Sequence, residues 1–323
     1  MGRAGISPEL EAVGAFGKVI DALGRTALRR RDPAWNRESV WGRDRAADTA
    51  EAYRADGFFL FRQALDRRLV AEVAKAEETV VRPYQGPLLR HNGKLAPHDH
   101  SKGPPSDFER RQSGLYNPHR MTGGPVAAFA EAAIRLLASE DLFACLNRLD
   151  GEERYTLHQS IFFFVSPRTD IHVDQVTLDT TPRGRSFTVW IPIDEVRPAN
   201  GPLFVIPRRL GVYDRELESP AGAGRSRGEM TSAYNDGLAL KLAASDAVAA
   251  LPMMHPGDVM IFGPSTPHGS FAALDASLWR RAFQAVYRPT SITRWGAYPT
   301  HDESHDVQAE ETELSRRFNC LRG

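Results

Sequence analysis

The chain has 323 residues, 41% apolar and 25% charged, which is enough to bury a sizeable core in one or two domains. Its 41 basic and 41 acidic residues cancel, so no overall field draws it to nucleic acid or to an anionic membrane. Cys145 and Cys320 are too few for a disulfide framework and lack zinc spacing; with no membrane-length apolar run and no signal-peptide core at the start, a cytoplasmic setting is expected.

Leu10, Val13, Phe16, Val19, Ile20 and Leu23 recur at helical spacing, predicting a helix within 8–32. A second helix is expected over 46–55, running into the turn signal Asp56-Gly57 and then a short buried strand, Phe58-Phe59-Leu60-Phe61. Asp66 caps a helix reaching to about Val80. Residues 82–124 lose apolar periodicity and read as a long loop, which inside a compact protein is usually functional. Pro125 opens a helix to about Leu149 with a break near Ser139.

After Gly151 the pattern becomes strand-like, with strands expected at 155–165, 171–177, 186–193, 203–206, 258–262, 268–272 and 279–288. Residues 212–250 read as an insertion, helical over 237–251. Helices first and strands afterwards point to a mainly β protein with α additions: a jelly-roll core with N-terminal helices packed outside. The expected organisation is a single domain over 1–323. It has a helical part to 150, a β core over 151–290 and a tail over 291–323.

The chemistry lies in the β region. His172 and Asp174 stand two apart on an expected strand, so both side chains project from one face. His268 follows the strand Asp258–Phe262 and supplies a third ligand. Two imidazoles and a carboxylate form the facial triad of non-haem iron(II) sites, which leaves open positions for a cosubstrate and oxygen. A carboxylate-ended cosubstrate also needs a cation. Arg280 and Arg281 both qualify, and alternation favours Arg280, which shares a face with Ala282 and Gln284, whereas Arg281 shares one with Phe283 and Tyr287.

A spaced set of motifs resembles the phytanoyl-CoA dioxygenase family of double-stranded β-helix oxygenases. It comprises His172-Val173-Asp174, Thr188-Val189-Trp190-Ile191-Pro192, Asn200-Gly201-Pro202-Leu203, Pro256-Gly257-Asp258, His268-Gly269-Ser270 and Arg280-Arg281-Ala282. Tyr53–Phe59 resembles the family's N-terminal strand entry, so the likeness spans about residues 50–290. The resemblance implies a cupin-like jelly roll with Fe(II) on His172, Asp174 and His268, and no catalytic group beyond those ligands. It further implies 2-oxoglutarate as cosubstrate, with its distal carboxylate on Arg280 and Ser270 and Trp190 lining its pocket, and with Gln159 and Thr177 as further contacts. It also implies O2 and a small-molecule substrate, hydroxylated with release of succinate and CO2. A non-redox metal-dependent cupin is the alternative, and the Arg280–Ser270 clamp separates the two.

His158, Tyr116, His98 and Arg208 are the candidate substrate contacts. Arg183 and Arg185, with Arg208 and Arg209, read either as a solvated edge or as an anion-binding rim. His91 and His119 fall in the long loop and read as solvated or lid residues, with substrate a better partner for them than iron.

Overall fold

Short apolar runs and two-faced strands explain the architecture of the computed structural model. It describes residues 46–91, 95–97, 114–175, 177–207, 234–235, 237–238 and 249–294. The expected helix within 8–32, the Gly- and Ser-rich part of the insertion and the tail beyond 294 lie outside these residues, as does most of the expected helix at 237–251.

Helix α1 (Ala46–Asp56) ends where Gly57 adopts φ 79, and the chain turns directly into β1 (Phe58–Phe61). Asp66 caps α2 (Arg67–Ala76), its carboxylate accepting from the Arg68 N–H; a π-helical turn, Glu77–Val81, extends α2 to about the expected end. The 82–124 stretch has more structure than its composition announces. It carries a hairpin of β2 (Pro87–Leu89) and β3 (Leu95–Pro97), then β4 (Leu115–Tyr116) and a 3-10 turn at Pro118–Arg120. In its described residues, backbone polar groups find partners in short strands that lack the length for an alternation signal. The expected helical break falls between α3 (Ala127–Leu137) and α4 (Glu140–Asp150), with Ser139 capping α4.

The remaining strands are β5 (Tyr155–Phe163), β6 (Thr180–Thr181), β7 (Phe187–Pro192), β8 (Leu203–Val205), β9 (Val259–Phe262), β10 (His268–Ser270), β11 (Ala282–Pro289) and β12 (Thr293–Arg294). One antiparallel sheet has the order β1-β9-β7-β11-β5-β4, and β8 and β10 pair in a second. The large sheet is buried on both faces. Phe59, Phe61, Val259, Ile261, Phe283 and Tyr287 join the core under α2, α3 and α4, while Phe58, Leu60, Met260, Phe262, Trp190 and Ala282 join Leu203 and Val205 of the small sheet. Such two-sided burial is why these strands read as continuous apolar runs rather than alternating ones.

One expected strand is not a strand. Over 171–177, only His172 pairs, in a single antiparallel bridge with His268; Asp174 then accepts from the Thr177 and Leu178 N–H groups in a turn. Beyond that bridge the segment's backbone is held by single bonds, the Gln175 N–H donating to the Pro264 carbonyl at 2.7 Å, rather than by a ladder.

Candidate metal and cosubstrate site

The His172–His268 bridge sets the two imidazoles side by side, with ring centroids 4.2 Å apart. Each ring is fixed through Nδ1, which donates to a backbone carbonyl two residues back: His172 to Asp170 at 2.8 Å and His268 to Thr266 at 2.9 Å. That tautomer leaves both Nε2 lone pairs for a metal. Asp174 faces them, with Oδ1 3.9 Å from His172 Nε2 and Oδ2 3.8 Å from His268 Nε2. These separations are too long for hydrogen bonds. All three residues can offer ligand atoms within 4.8 Å of one another, and among the described residues they form a cluster able to hold an ion. Buried His268 Nε2 has no hydrogen-bond partner among the described residues. Burial, and secondarily neighbouring His172, lower the His268 pKa to about 4 against the pull of Asp174, so this imidazole is neutral at pH 7. Two imidazoles whose Nε2 atoms face a carboxylate, one of those nitrogens buried without a hydrogen-bond partner among the described residues, fit a divalent transition metal.

The supporting groups come from three directions. Thr188 on β7 donates its hydroxyl to Asp174 Oδ2 at 2.7 Å. Thr188 falls within the family-like motif Thr188–Pro192, but its own signal, a β-branched hydroxyl in an otherwise apolar strand, is weak without knowing which face it takes. Gly269 lets β10 approach its surroundings: a Cβ there would lie 2.6 Å from Phe204 Cζ and 2.7 Å from the Thr169 carbonyl. Asp258 ties the turn before β9 to the end of β1, accepting from Arg62, from both the backbone and side chain of Gln63, and from the His255 N–H.

A cavity of roughly 210 Å³ opens beside the three ligands. Among its lining residues are Trp190, Ser270 and Arg280 on one side and Gln159, Thr177 and His91 elsewhere. Arg280 is buried, with Nη2 reaching the Val165 carbonyl at 3.5 Å and, among the described residues, no hydrogen-bond partner for Nε or Nη1. Burial brings its pKa down to about 9, with Asp194 pulling the other way, so it stays cationic at neutral pH. Its guanidinium carbon lies 5.2 Å from the centroid of the Trp190 ring. Ser270 Oγ accepts from the Thr169 N–H at 3.0 Å, leaving its own proton free to donate. Arg281 points elsewhere. It pairs with Asp194, Glu77 and Glu78 at 2.8–2.9 Å and joins the start of β11 to the helical layer.

The expected substrate contacts fare differently. His158 does not line the cavity. It sits at a β-bulge, where the β11 register passes from Val286↔Gln159 to Tyr287↔Leu157. The bulge reverses the in–out parity of β5, so Leu157 and Phe162 both face the helices while Gln159, Ile161 and Phe163 face the cavity. Tyr116 does not line it either, but its hydroxyl donates to Gln159 Oε1 at 3.2 Å. His98 and Arg208 lie outside the described residues. Arg183 and Arg185 pair with acids, Arg183 with Asp179 and Arg185 with Glu152 and Asp150, which accounts for them without a bound anion.

Fold and site together define a double-stranded β-helix protein with a two-histidine, one-carboxylate metal centre beside a buried arginine. Residues 51–282 match the phytanoyl-CoA dioxygenase (PhyH) family, and the chain belongs to that family of iron- and 2-oxoglutarate-dependent oxygenases. No curated protein matches it. Similar solved structures include SnoN, a non-haem α-ketoglutarate-dependent epimerase from nogalamycin biosynthesis (16% identity, covering 81% of this chain and 92% of that one, TM-score 0.51). SnoK, a carbocyclase from the same biosynthesis, is 17% identical over 82% and 94% of the two chains, with TM-score 0.51. AviO1 from Streptomyces viridochromogenes Tue57 is 17% identical over 80% and 99%, with TM-score 0.50. These likenesses are of fold. No helix of the described residues is long and apolar enough to cross a membrane.

Proposed function

We propose that this oxygenase hydroxylates an unactivated C–H bond of a small molecule, consuming O2 and 2-oxoglutarate and releasing succinate and CO2. One juxtaposition carries the reading: a buried guanidinium with two nitrogens unpartnered among the described residues borders the same cavity as two imidazoles and a carboxylate. His172, Asp174 and His268 would hold iron(II). With cosubstrate and oxygen bound, the iron supplies the oxidant that takes hydrogen from carbon.

The chain's own residues orient and shield. Arg280 offers Nε and Nη1 to the distal carboxylate of 2-oxoglutarate, a pairing that ends its unsatisfied burial. Ser270 donates its free proton to the same carboxylate. Trp190, 2% exposed, covers the guanidinium and keeps water from competing with the pair. Thr188 and the two backbone carbonyls on Nδ1 hold the ligands in the orientation that the metal needs. A carboxylate at 174 favours oxygenation over halogenation, which needs that metal position for a halide.

Anaerobic addition of iron(II) and then 2-oxoglutarate should produce a visible charge-transfer band. His172→Ala should abolish iron binding, and Arg280→Ala should keep iron but demand far more 2-oxoglutarate. Absence of the band at saturating iron and cosubstrate would refute the assignment. Desaturation, cyclisation and epimerisation begin with the same hydrogen removal. Product mass separates them from hydroxylation, which adds one oxygen.

A further inference from the structure

Part of the cavity wall takes no part in holding a metal or pairing with a carboxylate. Strand β5 turns Gln159, Ile161 and Phe163 into the cavity, and β11 separates it from β7: Val286 pairs with Gln159 on one side and with Thr188 on the other. This wall therefore stands apart from the strand that carries Thr188 and Trp190.

From the 82–124 segment, His91 adds to it and Tyr116 braces it from behind. His91 is held by its backbone N–H, which donates to the Gly114 carbonyl at 2.8 Å, and its ring meets Phe163 edge-on with centroids 5.7 Å apart. His91 lines the cavity, and neither of its ring nitrogens makes a hydrogen bond to the described residues. Tyr116 holds Gln159 by its carbonyl oxygen, leaving the Nε2 amide hydrogens unspent. Three apolar side chains, Ile161, Phe163 and Leu178, line the same cavity.

We infer that His91 and Gln159 form the substrate-recognition wall, shaped for an uncharged molecule with an apolar ring or skeleton that carries a hydroxyl or carbonyl oxygen. The oxygen accepts from Gln159 Nε2 and shares a hydrogen bond with His91, while the carbon skeleton packs on Ile161, Phe163 and Leu178. Tyr116 is a positioning residue that acts through Gln159. This inference rests on the oxygenase reading of the same cavity, and it moves Gln159 from the cosubstrate, where the family resemblance puts it, to the substrate. Charge decides against an anionic substrate group here. The one Arg of the described cavity is engaged by 2-oxoglutarate, and a second carboxylate beside Gln159 would be desolvated without a counter-charge.

The test uses the full chain loaded with zinc(II), a diamagnetic stand-in for iron, and with 2-oxoglutarate. Benzyl alcohol, benzamide and benzoate are compared as probes by saturation-transfer NMR, with histidine ring resonances followed in 13C-His-labelled protein. Benzyl alcohol or benzamide should bind alongside 2-oxoglutarate and shift one resonance that His91→Gln removes. Benzoate should bind only by displacing 2-oxoglutarate. His91→Ala and Gln159→Leu should each weaken the neutral probes by about three- to tenfold, the loss of one ordinary hydrogen bond, and Tyr116→Phe by less. Calorimetric 2-oxoglutarate affinity should stay within about twofold in all three variants, because none bonds to the cosubstrate. Failure of both neutral probes to bind, binding unaltered by His91→Ala, or benzoate binding with 2-oxoglutarate retained would each overturn the inference while leaving the oxygenase reading intact. If wild-type protein failed to bind 2-oxoglutarate at all, the oxygenase reading would fall first and the substrate inference with it.

Discussion

Thr188→Val removes one hydroxyl from the support of the metal centre and changes almost nothing else. The Thr188 side chain is buried on β7 and donates to Asp174 Oδ2 at 2.7 Å. Valine has the same shape and suits a strand, so packing is kept. A buried hydrogen bond to a charged acceptor contributes about 1.5–3 kcal/mol. If that support is spent on holding the carboxylate toward the metal, its loss corresponds to a roughly 10- to 150-fold weaker metal affinity at about 1.4 kcal/mol per factor of ten. The usual cost of losing a partner behind a metal ligand, about 10- to 100-fold, agrees. Anaerobic calorimetry with iron(II) or cobalt(II) reads the affinity, and a thermal melt of metal-free protein shows that the fold survives. Thr188→Ser keeps the hydroxyl and should bind nearly as well as the parent. Equal metal affinity in the valine variant and the parent would refute the reasoning, because Asp174 would then be oriented by its turn alone.

The two adjacent arginines should behave oppositely. Arg280→Met should lose at least about 100-fold in 2-oxoglutarate affinity yet leave the metal-free melting temperature unchanged or higher, since an unpaired buried cation is removed. Arg281→Met should keep cosubstrate affinity but cost about 1–3 kcal/mol of stability in denaturant titrations, because Asp194 loses its cation while Glu77 keeps only Arg82. Asp258 is held below the ordinary carboxylate range: burial alone would raise its pKa, but donors from His255, Gln63 and Arg62 outweigh it. Its contribution is thus complete above an unfolded pKa of about 3.9 and is lost as pH falls through the lower folded value. Asp258→Asn should lower stability at pH 7 and flatten the decline below about pH 4, read from chemical-denaturation midpoints across pH. Gly269→Ala should cost about 1–3 kcal/mol in the thermal melt, since the new methyl meets Phe204 and the Thr169 carbonyl.

Element types were largely legible from the chain. The apolar run Phe58–Phe61, the Asp66 cap and the Ser139 break each state a local rule that the fold obeys, because propensity and tertiary packing agree there. The segment around His172 and Asp174 was legible only as chemistry. Its residue types suggest a metal, but the strand expected for it is a single bridge followed by a turn. The facing of the residues along β5 was hidden for a related reason. A β-bulge inverts which residues of β5 face inward, and a bulge leaves no mark on a strand's alternation until its partner is known.

The order of residues by itself determined the chemical inventory: which side chains can bind a metal, which can meet a carboxylate, and where turns must fall. These depend on residue type and near spacing, and both are written in the chain. Only the tertiary structure decided which of two neighbouring arginines is left unpaired in the cavity, that Thr188 stands behind Asp174, and that His91, far from the metal ligands in sequence, shares a cavity with them. Those relations arise from long-range strand pairing, where a shift of one residue exchanges the two faces of a strand.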